Sequence, residues 1–170
     1  MIKPLKAFDV EFVKLGQGEH WFNFDIDNDF FEAFESSLTA EDLKLKLSFT
    51  KGSNTFTLIF MLEGKVNVDC DRCLTPVNLP IKSTNMLMVK ITENLLEDQD
   101  DIIYMLPSEY KMNIAQPLYD FILLSLPIKK TCDLVGRTCD KTITGKITQV
   151  IDVEMQETEA ERATDFEEED

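Results

Sequence analysis

Histidine is almost missing from this chain: His20 is the only one in 170 residues. It lies far in sequence from any cysteine or serine motif, which argues against a hydrolytic triad, since a triad needs an imidazole to relay the nucleophile's proton. Glycine is also sparse, at six residues, and neither Gly-x4-Gly-Lys-Ser/Thr nor Gly-x-Gly-x2-Gly occurs, so the phosphate loops that need them are lacking. No apolar run approaches the roughly 18 residues of a membrane span; Phe121 to Pro127 is far too short. The first residues, Met-Ile-Lys-Pro-Leu-Lys, carry no apolar stretch of the kind that directs export, so the expected location is the cytoplasm. Bases are outnumbered, 17 to 32, for a net charge of −15. A chain of that sign is repelled by bulk nucleic acid, whose binding draws on neutralised phosphates.

The charge is uneven. Residues 152–170 hold ten acids against Arg162 alone, and from Gln156 onward the chain is almost wholly acidic or polar. The expectation is a domain over residues 1–151 followed by an acidic, disordered tail over 152–170. The opposite sign concentrates between residues 129 and 146, where Lys129, Lys130, Arg137, Lys141 and Lys146 face only Asp133 and Asp140. Two readings stand for that segment: an ordinary solvated loop, or a patch in which Lys129, Lys130, Arg137 and Lys141 meet phosphate.

Hydrophobic periodicity predicts an α+β fold. Phe22-Asn23-Phe24-Asp25-Ile26 alternates as a half-buried strand, and Asp29 with Glu32 predicts a capping box opening a helix over Phe30 to Ser37. Leu43, Leu45, Leu47 and Phe49 form one apolar side of a strand. Lys51-Gly52-Ser53-Asn54 is turn chemistry, and Phe56, Leu58, Phe60 and Leu62 line the returning strand. Beyond Gly64 the residues Val66, Val68 and Cys70 share one face. Leu74 to Pro80 holds two prolines and reads as a loop or edge segment, with a further strand over Ile81 to Ile91. Glu97 to Asp101 reads as an acidic loop, for which solvation explains the acids better than magnesium does. Asn113 is placed to cap a helix reaching Leu126, with Pro117 tolerated in its first turn. The architecture expected is a mainly antiparallel, curled sheet packed by two helices, with the cysteines at one end.

Four cysteines are the distinctive chemistry. Cys70-Asp71-Arg72-Cys73 places two thiols after a strand at the spacing of a zinc knuckle, because two intervening residues let both aim at one tetrahedral ion. The remaining thiols, Cys132 and Cys139, are separated by six residues, more than the common two to four. Two readings stay open: a four-thiol zinc site of Cys70, Cys73, Cys132 and Cys139, or small core residues with no metal. A redox dithiol fits less well, since Cys73 runs into Leu-Thr-Pro-Val and not into the helix start that activates such a thiol. Asp25-Ile26-Asp27-Asn28-Asp29 opens like a calcium loop but has Phe30 where the turn glycine belongs and Ser36 where the bidentate glutamate belongs.

Gly64-Lys65-Val66 through Cys70-Asp71-Arg72-Cys73-Leu74-Thr75-Pro76 resembles the signature of the YceD family, a strand ending in Cys-x-Arg-Cys-Leu with proline close behind. Leu124-Ser125-Leu126-Pro127-Ile128-Lys129-Lys130 followed by Cys132 resembles the family's second landmark, so the resemblance covers about residues 8–150. Many members carry a dense cysteine cluster ending in Cys-x2-Cys-Gly after the helix; this chain has Cys132 and Cys139 with neither feature. The resemblance implies a bacterial protein without enzymatic activity or small-molecule substrate, supporting synthesis, processing or stability of 23S ribosomal RNA. It also implies metal and nucleic-acid binding, and partners that are ribosomal RNA, a basic large-subunit ribosomal protein, or both. The alternative from another class is a zinc-stabilised adaptor that binds protein partners only.

Overall fold

The structure is a computed structural model that describes residues 3–93, 102–140 and 142. The expected acidic loop at Glu97 to Asp101 and the acidic tail lie outside the described residues, as does Lys141. Two compact units are distinguishable, one of residues 1–68 and 78–128, the other of residues 69–77 and 129–170.

The α+β class holds. In chain order come β1 (Asp9–Val10), β2 (Gly18–Ile26), α1 (Asn28–Ala33), β3 (Thr39–Lys51), β4 (Thr55–Asp69), β5 (Pro76–Ile91), β6 (Ile102–Met105), β7 (Met112–Asn113) and α2 (Ala115–Ser125). The principal sheet runs β2-β3-β4-β5-β6, antiparallel across β2-β3-β4 and parallel between β5 and β6, while β1 and β7 form a two-stranded antiparallel sheet.

The hairpin read from alternation is there. β3 pairs with β4 from Phe49 opposite Leu58 to Leu45 opposite Leu62, and every apolar residue named on the two strands is buried. Strand geometry sends alternate side chains to one face, so eight large apolar groups converge on a single core. Phe60 meets Phe121 of α2 edge-on at 5.0 Å between ring centres, which seats the helix on that face. At Gly64 the backbone takes φ +154°, and a Cβ there would lie 2.5 Å from the carbonyl oxygen of Asp42. Glycine therefore lets β4 pass the irregularity between Glu41 and Lys44 on β3 and continue unbroken to Asp69.

Two expectations are corrected. The cap of α1 is Asp27 and not Asp29: Ile26 ends the strand, and the Asp27 carboxylate accepts the Phe30 N–H at 3.2 Å. The helix stops at Ala33, short of Ser37, because Glu35 turns to φ +53°. Of the two readings of Leu74 to Pro80, loop or edge segment, the edge one fits beyond Thr75, where Pro76 and Pro80 stand inside β5. The prolines are tolerated because β6 pairs only with Met88 to Ile91 of β5, leaving the first half of that strand without a β6 partner to demand its N–H groups. At the second helix, Asn113 stands one residue before the cap and its Oδ1 accepts the Ala115 N–H at 3.0 Å.

Asp9 ties the small sheet together. It accepts the Lys111 amine at 2.6 Å and the Asn113 amide at 2.7 Å, and these donors, Lys111 first, hold its carboxyl below the usual carboxylate range. A depressed pKa contributes stability above the unfolded value and loses it as pH falls through the folded one. Asp9→Asn is therefore expected to cost about 1 kcal/mol at neutral pH, the pair being partly exposed, and its deficit should shrink below about pH 4. Urea melts at pH 7 and pH 3 check this; an equal deficit at both would refute it.

Candidate metal centre

The four cysteines come together in the smaller unit, on two short segments of backbone. The first turns directly after β4. Leu74 adopts φ +56° and donates its N–H to the Cys70 carbonyl at 2.9 Å, while the Cys70 N–H reaches the Thr75 carbonyl at 3.0 Å. The tight turn folds Cys73 back beside Cys70. Glycine ordinarily takes such a left-handed position; the leucine here is largely exposed.

The second segment resolves the long Cys132–Cys139 spacing. Cys132 begins a 3₁₀ turn, Cys132–Val135, that ends at Gly136 with φ +70°, and the Arg137 N–H returns to the Cys132 carbonyl at 3.0 Å. The turn and the left-handed glycine take up the extra residues and bring Cys139 back. Asp71 joins the two segments: its N–H donates to the Lys130 carbonyl at 2.7 Å, and its carboxylate accepts the Lys130 N–H at 2.6 Å.

All four sulfurs lie within 4.8 Å of one another. Cys70 Sγ stands 3.8 Å from Cys139 Sγ, and Cys73 Sγ stands 3.6 Å from Cys132 Sγ. None is in a disulfide. Four thiolates at about 2.3 Å from a tetrahedral zinc lie roughly 3.8 Å from each other, so the donor set matches that ion in number, type and spacing. The unit's composition agrees. Its buried described residues are Cys70, Cys73, Cys132, Val77 and Thr131. An interior made mostly of thiols holds little apolar surface, the circumstance in which small units draw on a metal, disulfides or a partner to fold.

The thiols are unequal. The Thr75 hydroxyl, 3.2 Å from Cys73 Sγ, together with the Asp140 and Thr75 N–H groups, lowers Cys73 to about 6 against the pull of burial. Burial pushes Cys70 up, but the N–H groups of Arg72, Cys73 and Cys132 outweigh it and the net shift is down. Cys132 is raised to about 12, by burial first and then by the neighbouring sulfurs. Cys139 is raised too, by burial and by Cys70 and Cys73. N–H donors aimed at sulfur stabilise thiolates and orient them, as the outer partners of a metal site do.

The sequence model described as "Large ribosomal RNA subunit accumulation protein YceD" matches residues 58–169, about two thirds of the chain and all four cysteines. The chain belongs to the YceD family. The matched segment begins inside β4, later than the resemblance read from about residue 8, and continues into the acidic C-terminal segment. No curated protein and no solved structure matches this YceD chain.

The basic residues are drawn into the same unit, partly as struts. Lys130 Nζ lies 3.7 Å from Asp71, Arg137 Nη1 donates to the Pro76 carbonyl at 3.3 Å, and Lys129 is exposed. Arg72, given no role from sequence, donates to Asp133 at 2.9 Å. Its place inside the Cys-x-Arg-Cys signature was the available signal. His20 bonds the Gly16 carbonyl at 2.9 Å and is not among the clustered ligands. Among the described residues no helix is long and apolar enough to cross a membrane.

Proposed function

We propose that this YceD protein is a non-enzymatic binding protein that supports accumulation of large-subunit ribosomal RNA, with one structural zinc held by Cys70, Cys73, Cys132 and Cys139. The observation that carries the reading is the family match running through all four cysteines. Bound zinc would supply stability, since a closed four-thiolate shell keeps no open position for chemistry. In this reading Lys129 and Lys141 meet ribosomal RNA, alongside Lys130 and Arg137 where their internal bonds allow. The acidic remainder engages a basic large-subunit ribosomal protein.

The internal engagement of Lys130 and Arg137 favours a second reading, a zinc-stabilised adaptor whose contacts are all with protein. The exposed lysine separates the two without disturbing the struts. Lys129→Glu combined with Lys141→Glu is expected to leave the fold intact and to lower mature 23S RNA in cells. It should also flatten the salt dependence of RNA binding by roughly 0.7 to 0.9 per lost phosphate contact. Unchanged salt dependence alongside reduced 23S RNA in a deletion strain would favour the adaptor. Normal 23S RNA in the deletion strain would refute the ribosomal reading.

A further inference from the structure

Both described helices pack on one side of the principal sheet. Phe121 of α2 meets Phe60, and Phe30 of α1 meets Phe8, which stacks on Phe24 at 5.4 Å. Phe24 stands opposite Leu45 and Phe60 opposite Leu47, so all of them share the face of the core. Alternation sends the intervening residues to the other face. There Trp21 is 49% exposed and Met86 53% exposed, so large apolar side chains stand open to contact.

Strand pairing fixes what lies in each row of that outer face. Asp25 is opposite Lys44, and Lys44 is opposite Glu63; Trp21 is opposite Ser48, and Ser48 is opposite Ile59. β5 returns from β4 through the turn over residues 70–75, where the Cys70 N–H reaches the Thr75 carbonyl, so these two strands are antiparallel. Lys82 Nζ lies 3.3 Å from the Glu63 carboxylate, which puts Lys82 at the end of the first row. Met86, two rows further along β5, then ends the row of Trp21. Ser48 forms the floor of that row, its hydroxyl donated to Glu19 at 2.8 Å. Lys46 Nζ sits 4.5 Å from the Trp21 ring centre and holds the indole on the face.

Charge decides what fits. The first row reads acid, base, acid, base from β2 to β5. An open cavity of about 840 Å³ runs along it, and its ionisable lining balances, Lys44, Lys46 and Lys82 against Asp25, Asp42 and Glu63. A polyanion needs an excess of bases and a basic segment an excess of acids; in a chain of net −15 this face offers neither. What it does match is itself. A two-fold axis between two such faces, along the strands and midway between β3 and β4, reverses the strand order and leaves each row at its own level. Asp25 then faces the second copy's Lys82, and Lys44 its Glu63, while Trp21 faces its Met86. The side chains of Lys82 and Glu63 are 78% and 73% exposed, so both can turn toward another molecule.

We infer that the outer face of β2-β3-β4-β5 pairs with the same face of a second copy, forming a reversible two-fold dimer. The inference goes beyond the metal centre and the RNA reading, and self-association of the purified chain tests it whatever the ribosomal phenotype. Four strands and four rows span roughly 19 Å by 27 Å, about 1,000 Å² over both copies, the size of a weak contact. Sedimentation velocity on the full chain is expected to show monomer giving way to dimer, with a midpoint of roughly 10–100 µM. Lys44→Glu with Lys82→Glu makes the charged row wholly acidic, and Asp25→Lys with Glu63→Lys makes it wholly basic. Each variant alone should dimerise at least about tenfold more weakly with unchanged circular dichroism, and mixing the two should restore a dimer. Bulk charge would act differently. The basic-row variant is less negative than the parent and would associate better, and the mixture, both members still net negative, would not recover. Met86→Asp should weaken the dimer by about tenfold, whereas Leu124→Asp, at an exposed leucine of α2, should leave it within about twofold. A chain still monomeric at about 500 µM, a mixture that fails to recover, or an equal loss in Leu124→Asp would overturn the inference. Trp21 is the only tryptophan, so quenching of its emission by single-stranded RNA would assign the face to nucleic acid instead.

Discussion

The chain isolated without chelator is expected to contain about one zinc per molecule, and Cys73→Ser to contain far less than one. Structural zinc sites contribute roughly 10–16 kcal/mol at neutral pH, so losing one of four thiolates should cost on the order of 3 kcal/mol, about a hundredfold in affinity. The sign with pH follows from protons. Zinc takes thiolates, and a thiol whose pKa lies above the ambient pH must release a proton to bind. At pH 7 Cys73, near 6, is already ionised, whereas Cys132, near 12, and the raised Cys139 are not. Zinc affinity should therefore climb as pH rises through neutrality, and fall further once pH drops below about 6 and Cys73 protonates as well. Competition against a chromogenic chelator at several pH values reads both effects. Metal-free protein, or affinity flat between pH 6 and 8, would refute the metal centre. An all-thiolate shell is also compatible with iron–sulfur ligation, which visible absorption would reveal.

Phe30→Ala should be the most damaging single change in the larger unit. Its ring is fully buried and lies 4.9 Å from Phe8, 5.5 Å from Phe31 and 5.1 Å from Phe34, centre to centre. Tyr119 of α2 stacks on Phe34 at 4.3 Å, so the cluster draws on three stretches of chain. Truncating a buried phenylalanine removes its transfer energy and leaves a cavity that such a cluster closes poorly, a cost of about 3–5 kcal/mol. Phe30→Leu keeps most of the volume and should cost much less. Denaturant melts at constant slope measure both. A loss below about 1 kcal/mol in Phe30→Ala would mean that the neighbouring rings collapse into the space.

Local pattern was enough wherever one face of an element meets one environment. Alternation from Leu43 to Phe49 and from Phe56 to Leu62 placed the hairpin and its buried side, because a strand's period of two forces the choice of face. The same parity carried Val66, Val68 and Cys70 inward, and the Cys-x2-Cys spacing with its neighbours marked the family. Where two residues competed for one role, sequence was not decisive. Asp27 and Asp29 are both competent caps, and the end of β2 at Ile26 selected the first. The prolines of β5 left a loop and an edge segment both open, because nothing local reveals that β6 pairs with only the far end of that strand.

The small sheet of β1 and β7 joins residues about a hundred apart in sequence, and each strand is two residues long. Neither is long enough to show a period. The cysteines divide in the same way. Cys70 and Cys73 announced a pair, but six residues between Cys132 and Cys139 left the second arm open. A 3₁₀ turn, Gly136 in the left-handed region and the Asp71–Lys130 bridge close it, and each depends on backbone geometry that residue spacing does not encode. Sequence thus determined which residues are thiols, which face inward and which family they mark. Only tertiary structure decided that four of them meet, because convergence is a property of two separate chain segments and not of either one.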